Sequence, residues 1–173
     1  LGLPPGRAAL PALVVDIGGG STEFVLGRTE PEYTASVDIG CVRMTERHLV
    51  SDPPTPSEIR DTQADIDRAV AHVAEVVPVA KARSLVGLAG TVTTISAMAM
   101  GLDRYDADIL HGSVITSTEV GDVTDRLLEM TRAQRAALPF MHPGRVDVIG
   151  GGAMILRAVV EAGGFGSVVV SET

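Results

Sequence analysis

Two carboxylates flanking a run of glycines are the residues best able to do chemistry. They lie in the string Leu13-Val14-Val15-Asp16-Ile17-Gly18-Gly19-Gly20-Ser21-Thr22-Glu23-Phe24-Val25-Leu26. An apolar run enters, three glycines turn it, and a second apolar run leaves. This pattern reads as strand, tight loop, strand. Consecutive glycines let the backbone bring its N–H groups close to a ligand, and successive N–H groups facing one concavity form an anion nest. Acids beside an anion nest are contradictory until a divalent cation is added. A magnesium ion, Mg²⁺, binds through one or two carboxylates plus substrate phosphates and keeps several waters. Asp16 and Glu23 are therefore the candidate catalytic and metal-binding residues. Gly18, Gly19, Gly20, Ser21 and Thr22 are the candidate phosphate donors. The plain alternative is a glycine-rich β-hairpin whose Asp is merely hydrogen-bonded. The string lacks the Gly-Lys-Ser/Thr ending of a P-loop. It is also not a dinucleotide fingerprint, because a strand rather than a helix follows the glycines.

The elements that must position these residues follow in order. Strands are expected at about 12–17, 23–28 and 32–38, forming an antiparallel meander. Residues 40–50 can form a short helix carrying Arg43, Glu46 and Arg47 on a solvated face. Thr55, Pro56 and Glu58 stand at N-cap, N1 and N3 of a longer helix. Its buried stripe is Ile59, Ile66, Val70, Val73 and Val77, and Pro78 ends it. His72, beside the stripe, reads as structural. A strand over 84–89 exits at Gly87, Gly90 and Thr91 into a helix over 92–100. Met98 and Met100 read as core filling there. Residues 101–116 are read as a solvated loop holding Asp103, Asp106 and Asp108. Helices follow over 117–130 and 131–138. Residues 146–149 then run into Gly150-Gly151-Gly152-Ala153, and a helix continues to about residue 162. Val168, Val169 and Val170 form a last strand.

Four stretches together resemble the exopolyphosphatase / guanosine pentaphosphate phosphohydrolase (Ppx/GppA) family. The first is Asp16-Ile17-Gly18-Gly19-Gly20-Ser21-Thr22-Glu23. The others are Ser36-Val37-Asp38-Ile39-Gly40-Cys41-Val42-Arg43-Met44-Thr45-Glu46, Gly87-Leu88-Ala89-Gly90-Thr91 and Val148-Ile149-Gly150-Gly151-Gly152-Ala153. The resemblance implies an α/β domain of the ribonuclease-H-like type, as in actin, hexokinase and Hsp70. Its sheet would be mixed, with an antiparallel meander and then helix-connected parallel strands. It implies a hydrolase that uses water to release terminal phosphate from inorganic polyphosphate or guanosine pentaphosphate. It makes Arg43 a secondary phosphate contact and residues 150–153 the adenosine-side loop. It also implies that the principal catalytic base and the first phosphate loop lie on another, N-terminal domain. Residues 1–10 would then be a linker from that domain, and residues 11–173 the second half of a cleft-forming enzyme. A homodimer is compatible with this arrangement. The alternatives are an ATP-binding kinase-like module of the same superfamily and a non-catalytic interaction domain.

Composition narrows the classes. The chain has 173 residues, enough for one domain that buries roughly 70% of its unfolded surface. Aromatics are only 3%, so Val, Leu, Ile, Ala and Met must build the core. The net charge of −8 argues against nucleic acid and anionic membranes as partners. A polyanionic substrate would need a local positive group or a metal. The one cysteine, Cys41, forms no internal disulfide and reads as a small buried hydrophobe. No apolar run reaches the ~20 residues of a membrane span, and no signal peptide is evident, so the expected location is cytoplasmic.

Overall fold

The computed structural model describes residues 2–173. Its centre is a six-stranded sheet in the order β3-β2-β1-β4-β6-β5. The strands are β1 (Ala12–Ile17), β2 (Thr22–Gly27), β3 (Pro31–Val37), β4 (Ser84–Leu88), β5 (Val114–Thr116) and β6 (Ser167–Val170). The β1–β2 and β2–β3 pairs are antiparallel, and β1–β4 and β4–β6 are parallel. This is the expected meander followed by helix-connected parallel strands. An added edge strand, β5, runs antiparallel to β6 inside what the sequence suggests is loop.

The sheet is two-faced because its side chains alternate. Leu13, Val15, Ile17, Phe24, Leu26, Leu85, Val168 and Val170 enter the main core. Helices supply the opposing side: α1 (Cys41–His48), α2 (Pro56–Val76), α3 (Ala89–Ala99), α4 (Ala107–Leu110), α5 (Ser117–Glu129), α6 (Arg132–Ala136) and α7 (Ile149–Gly163). Ile66, Val70 and Val73 of α2, Val92 and Ile95 of α3, and Met154 and Ile155 of α7 all join that core. On the other face Ala12, Val86 and Val169 form a small cluster under Leu3 and Ala8. Residues 2–10 lie along this face. Ser84 Oγ donates to the Ala9 carbonyl at 2.7 Å, and Arg7 Nε donates to the Gly112 carbonyl.

Local chemistry explains where helices start. Thr55 and Glu58 form a reciprocal capping box, worth about 1 kcal/mol. Thr116 with Glu119, and Thr131 with Gln134, do the same for α5 and α6. The α2 helix ends at Val76, just before Pro78.

Several local expectations need correction. Helix α3 begins at Ala89, because Ala89 adopts φ 68° and turns the chain sharply out of β4. Residues 101–116 hold α4 as well as β5, and Asp106 caps α4 through the Ile109 N–H. Met98 is buried, but Met100 is 44% exposed at the end of α3 and fills no core. His72 is exposed and pairs with Glu75 at 3.1 Å. Arg47 is not simply solvated: it joins His48 and Arg68 around Asp65, at 2.6, 2.8 and 3.3 Å. Among the described residues no helix is long and apolar enough to cross a membrane.

Candidate functional site

Parallel pairing puts the carboxyl ends of β1, β4 and β6 on one edge of the sheet, where open α/β sheets bind ligands. Asp16 is the penultimate residue of β1 and Glu23 the second of β2, and the two are direct partners across the ladder. Like charges directly opposite each other destabilise a sheet, so the pair needs a reason beyond folding. Asp16 has its carboxyl raised above the usual aspartate range, first by burial and then by the Glu23 charge. Perturbed carboxylates of this kind gather at functional sites.

Residues 18–21 join the two strands. Gly18 N–H donates to the Ser21 carbonyl at 3.0 Å and closes the turn. The Gly18 carbonyl accepts Cys41 N–H at 2.9 Å. The Gly19 carbonyl accepts the N–H groups of Val42 and Arg43 at 2.9 and 3.0 Å. The loop thus offers its carbonyls to the amino end of α1, which α1 needs because its first N–H groups have no partner within the helix. A Cβ on Gly40 would run into the Gly19 carbonyl, so this contact requires glycine there. With the carbonyls engaged, the amides of Gly19 and Gly20 have no protein acceptor among the described residues, and both glycines are exposed.

The hydroxyls behind the loop are held. Thr22 is fully buried and donates to the Ile39 carbonyl at 2.5 Å, so its side chain is a strut rather than a free phosphate donor. Ser21 Oγ donates to Glu23 Oε1 at 2.5 Å, and Ser36 Oγ donates to the same oxygen at 3.1 Å. Arg43 Nε donates to the Gly20 carbonyl at 2.7 Å, and its guanidinium lies 3.9 Å from Asp38. Arg43 therefore braces the loop beside the site.

Cys41 is half-buried, not buried, at the first position of α1. Burial pushes its thiol up, and a hydrogen bond with Thr91 works against that. The second glycine run is not a loop. Residues 150–152 form the first turn of α7, and Gly151 and Gly152 are buried. A Cβ on Gly152 would meet Thr91 Cγ2 at 2.6 Å and Cys41 Cβ at 3.2 Å.

One residue is missed by sequence reasoning. Arg145 lies against Gly90 in the first turn of α3, where any Cβ would collide with its guanidinium. Its polar contact is Thr94 Oγ1 at 3.5 Å, and among the described residues it makes no ion pair. It lines a cavity of about 420 Å³ with Tyr105, Phe140, Met141, His142 and Glu172. Tyr105 donates to Glu172 at 2.6 Å, and burial and that carboxylate raise its phenol. The useful sequence signal was Gly90: a glycine opening a helix, with room for something else over it.

Metal chemistry can be judged from the donors present. Among the described residues no group of three His, Cys, Asp or Glu could hold a metal ion. Asp16 and Glu23 alone make a two-carboxylate set. That set fits an ion such as Mg²⁺ that takes its other oxygens from water and phosphate, and it does not fit an all-protein cage.

Comparison with known proteins bears on the family and the fold. The model of the Ppx/GppA phosphatase family matches residues 7–172. Exopolyphosphatase 2 of Mycobacterium tuberculosis is 48% identical over 171 residues, which are 96% of this chain and 54% of that protein. A guanosine-5'-triphosphate,3'-diphosphate pyrophosphatase of Aeromonas salmonicida is 26% identical over 150 residues, 86% of this chain and 29% of that protein. The crystal structure of an exopolyphosphatase-like protein superposes with a TM-score of 0.94 at 40% identity, covering 99% of this chain and 58% of the other. The chain thus spans about half the length of such relatives. With a family match over almost its whole length and the same mixed sheet, this chain belongs to the Ppx/GppA phosphatase family.

Proposed function

We propose that the chain is the phosphate-gripping half of a hydrolase that releases terminal phosphate from inorganic polyphosphate or guanosine pentaphosphate. The observation that carries this reading is the pair of amides, Gly19 and Gly20, that have no protein acceptor among the described residues, beside the facing carboxylates Asp16 and Glu23. Phosphoryl transfer asks a protein chiefly for positioning and charge stabilisation. The Gly19 and Gly20 amides bind phosphate oxygens, and the Ser21 amide and Arg43 flank them. Arg145, which forms no ion pair among the described residues, answers the need for a local positive charge in a chain of net charge −8. Asp16 and Glu23 hold Mg²⁺, which when bound supplies charge neutralisation at the phosphate. Glu23 also orients water. The catalytic base and the first phosphate loop belong to the half of the protein that this chain does not span. Separated from that half, the chain binds phosphate and turns over little.

The test is Asp16→Asn and Glu23→Gln in a polypeptide joining this chain to that other half. Each change keeps shape and removes one charge. Turnover should fall ~10²–10³-fold, about 3–4 kcal/mol at the transition state, without loss of folding. Turnover and melting temperature are read on the same preparations. Folded variants with near-normal rates at saturating Mg²⁺ would make the loop a scaffold.

A further inference from the structure

A carboxylate has two oxygens and about four acceptor positions. Both positions on Oε1 of Glu23 are occupied, by Ser21 at 2.5 Å and Ser36 at 3.1 Å. No protein donor among the described residues reaches Oε2. Ser36 can do this only because of strand register. The β2–β3 hairpin carries a register shift at Leu26/Gly27, and beyond it Ser36 sits directly opposite Glu23, as Asp16 does on the other side. Asp16, Glu23 and Ser36 therefore form one lateral row across β1, β2 and β3.

We infer that Ser36 is a positioning and specificity-determining residue: with Ser21 it seals one oxygen of Glu23 and leaves the carboxylate a one-oxygen ligand. The inference rests on the reading of Glu23 as a metal ligand. Its consequence concerns which ion is held. Ca²⁺ takes six to eight oxygens at about 2.3–2.6 Å and readily uses a carboxylate through both oxygens. Mg²⁺ demands octahedral geometry at about 2.0–2.1 Å and uses few protein ligands. Sealing Oε1 denies Ca²⁺ its two-oxygen grip and leaves Mg²⁺ unaffected. Ser36 is exposed on an edge strand, so its hydroxyl is not needed to fill a core.

The test is metal competition on the 173-residue chain. Bound Mn²⁺ is followed by electron paramagnetic resonance, and Mg²⁺ or Ca²⁺ displaces it. The chain as it stands should prefer Mg²⁺ to Ca²⁺. Ser36→Ala frees an acceptor position on Oε1 and should shift that preference about five- to tenfold toward Ca²⁺, at unchanged melting temperature. Ser36→Thr keeps the hydroxyl, suits a strand, and should restore the original ratio. Glu23→Gln is the reference. If Glu23→Gln weakens Mn²⁺ while Ser36→Ala leaves the Mg²⁺/Ca²⁺ ratio alone, the seal is refuted and the metal reading stands. If Glu23→Gln leaves Mn²⁺ binding intact, or the unaltered chain binds none, both fall.

Discussion

Residues 18–20 and residues 150–152 are both runs of three glycines, and both touch Cys41. The first run accepts Cys41 N–H through the Gly18 carbonyl. The second lies against the Cys41 carbonyl and Cβ through Gly151 and Gly152. What surrounds them differs. The first run leaves a strand and enters a strand, so no helix or ladder takes its amides, and α1 takes its carbonyls. The second run opens α7, where the Gly152 N–H is bonded to the Val148 carbonyl at 3.1 Å and side chains crowd both buried glycines. Glycine serves exposure of backbone in one place and close approach of helices in the other. Identical triplets are thus told apart by the element that follows them.

The sharpest way to break this contrast is to add a methyl group to each run. Gly152→Ala has the largest expected effect. Its Cβ would meet Thr91 Cγ2 at 2.6 Å and Oγ1 at 2.8 Å, with Cys41 Cβ at 3.2 Å. Overpacking of this kind costs about 1–3 kcal/mol, and the wedged position between α1 and α3 puts it near the top of that range. Gly150→Ala is the internal control, since its nearest contact is Leu128 Cδ2 at 3.4 Å. It should stay within about 0.5 kcal/mol of the starting stability. Urea titration measures both. Equal losses at the two positions would mean that the second run is not a packing device.

The same addition to the first run should spare the fold and injure binding. At Gly20 a Cβ finds Arg43 Nη2 at 3.5 Å, an ordinary contact. The melting temperature of Gly20→Ala should hardly move. Binding of tripolyphosphate in the presence of Mg²⁺ should weaken about tenfold, ~1.4 kcal/mol, because the methyl group hinders close approach of an anion to the backbone. Calorimetric titration reads this directly. A destabilised Gly20→Ala with unaltered binding would reverse the assignment of the two runs.

The first run was legible in sequence because its signal is local. Two apolar runs, with glycines between, leave few options, and the predicted strand limits fall within a residue of those observed. The Thr55–Glu58 box was legible for the same reason. The second run was misread as a loop because burial against Thr91 and Cys41 is tertiary information, and glycines alone argue against a helix. Strand β5 has three residues, too few for a period to show. Ser36 carried no signal of its own: its partnership with Glu23 depends on the shift at Leu26/Gly27. Arg145 was invisible for a related reason, since the space its guanidinium occupies is left by Gly90, a residue far from it in sequence.

The smallest expected effect lies in the charges beside the first run, and it has a sign that the second run cannot reproduce. Asp16 has a raised carboxyl in the folded protein, through burial and then the Glu23 charge. The folded state therefore holds that proton more tightly than the unfolded chain does. Below the ordinary aspartate value, about 3.9, Asp16 is protonated in both states and carries no penalty. As pH rises from there through the raised folded value, the unfolded chain ionises first and the folded state falls behind in stability. Above that window the penalty is complete. Asp16→Asn removes it, so its melting temperature should exceed that of the unaltered chain at pH 7 by a few degrees. The gap should close as pH falls toward 3.9. Adding Mg²⁺ at pH 7 should also narrow it, because an ion bound to the folded state stabilises only the chain that keeps both carboxylates. Gly150→Ala changes no titrating group and should show a difference that is flat with pH. Thermal melts from pH 3.5 to 7.5, with and without Mg²⁺, decide the matter. An Asp16→Asn variant that is less stable at pH 7 would mean that the carboxylate is a structural hydrogen-bonding group, and the contrast between an exposed, charged loop and a buried, neutral helix start would lose its electrostatic half.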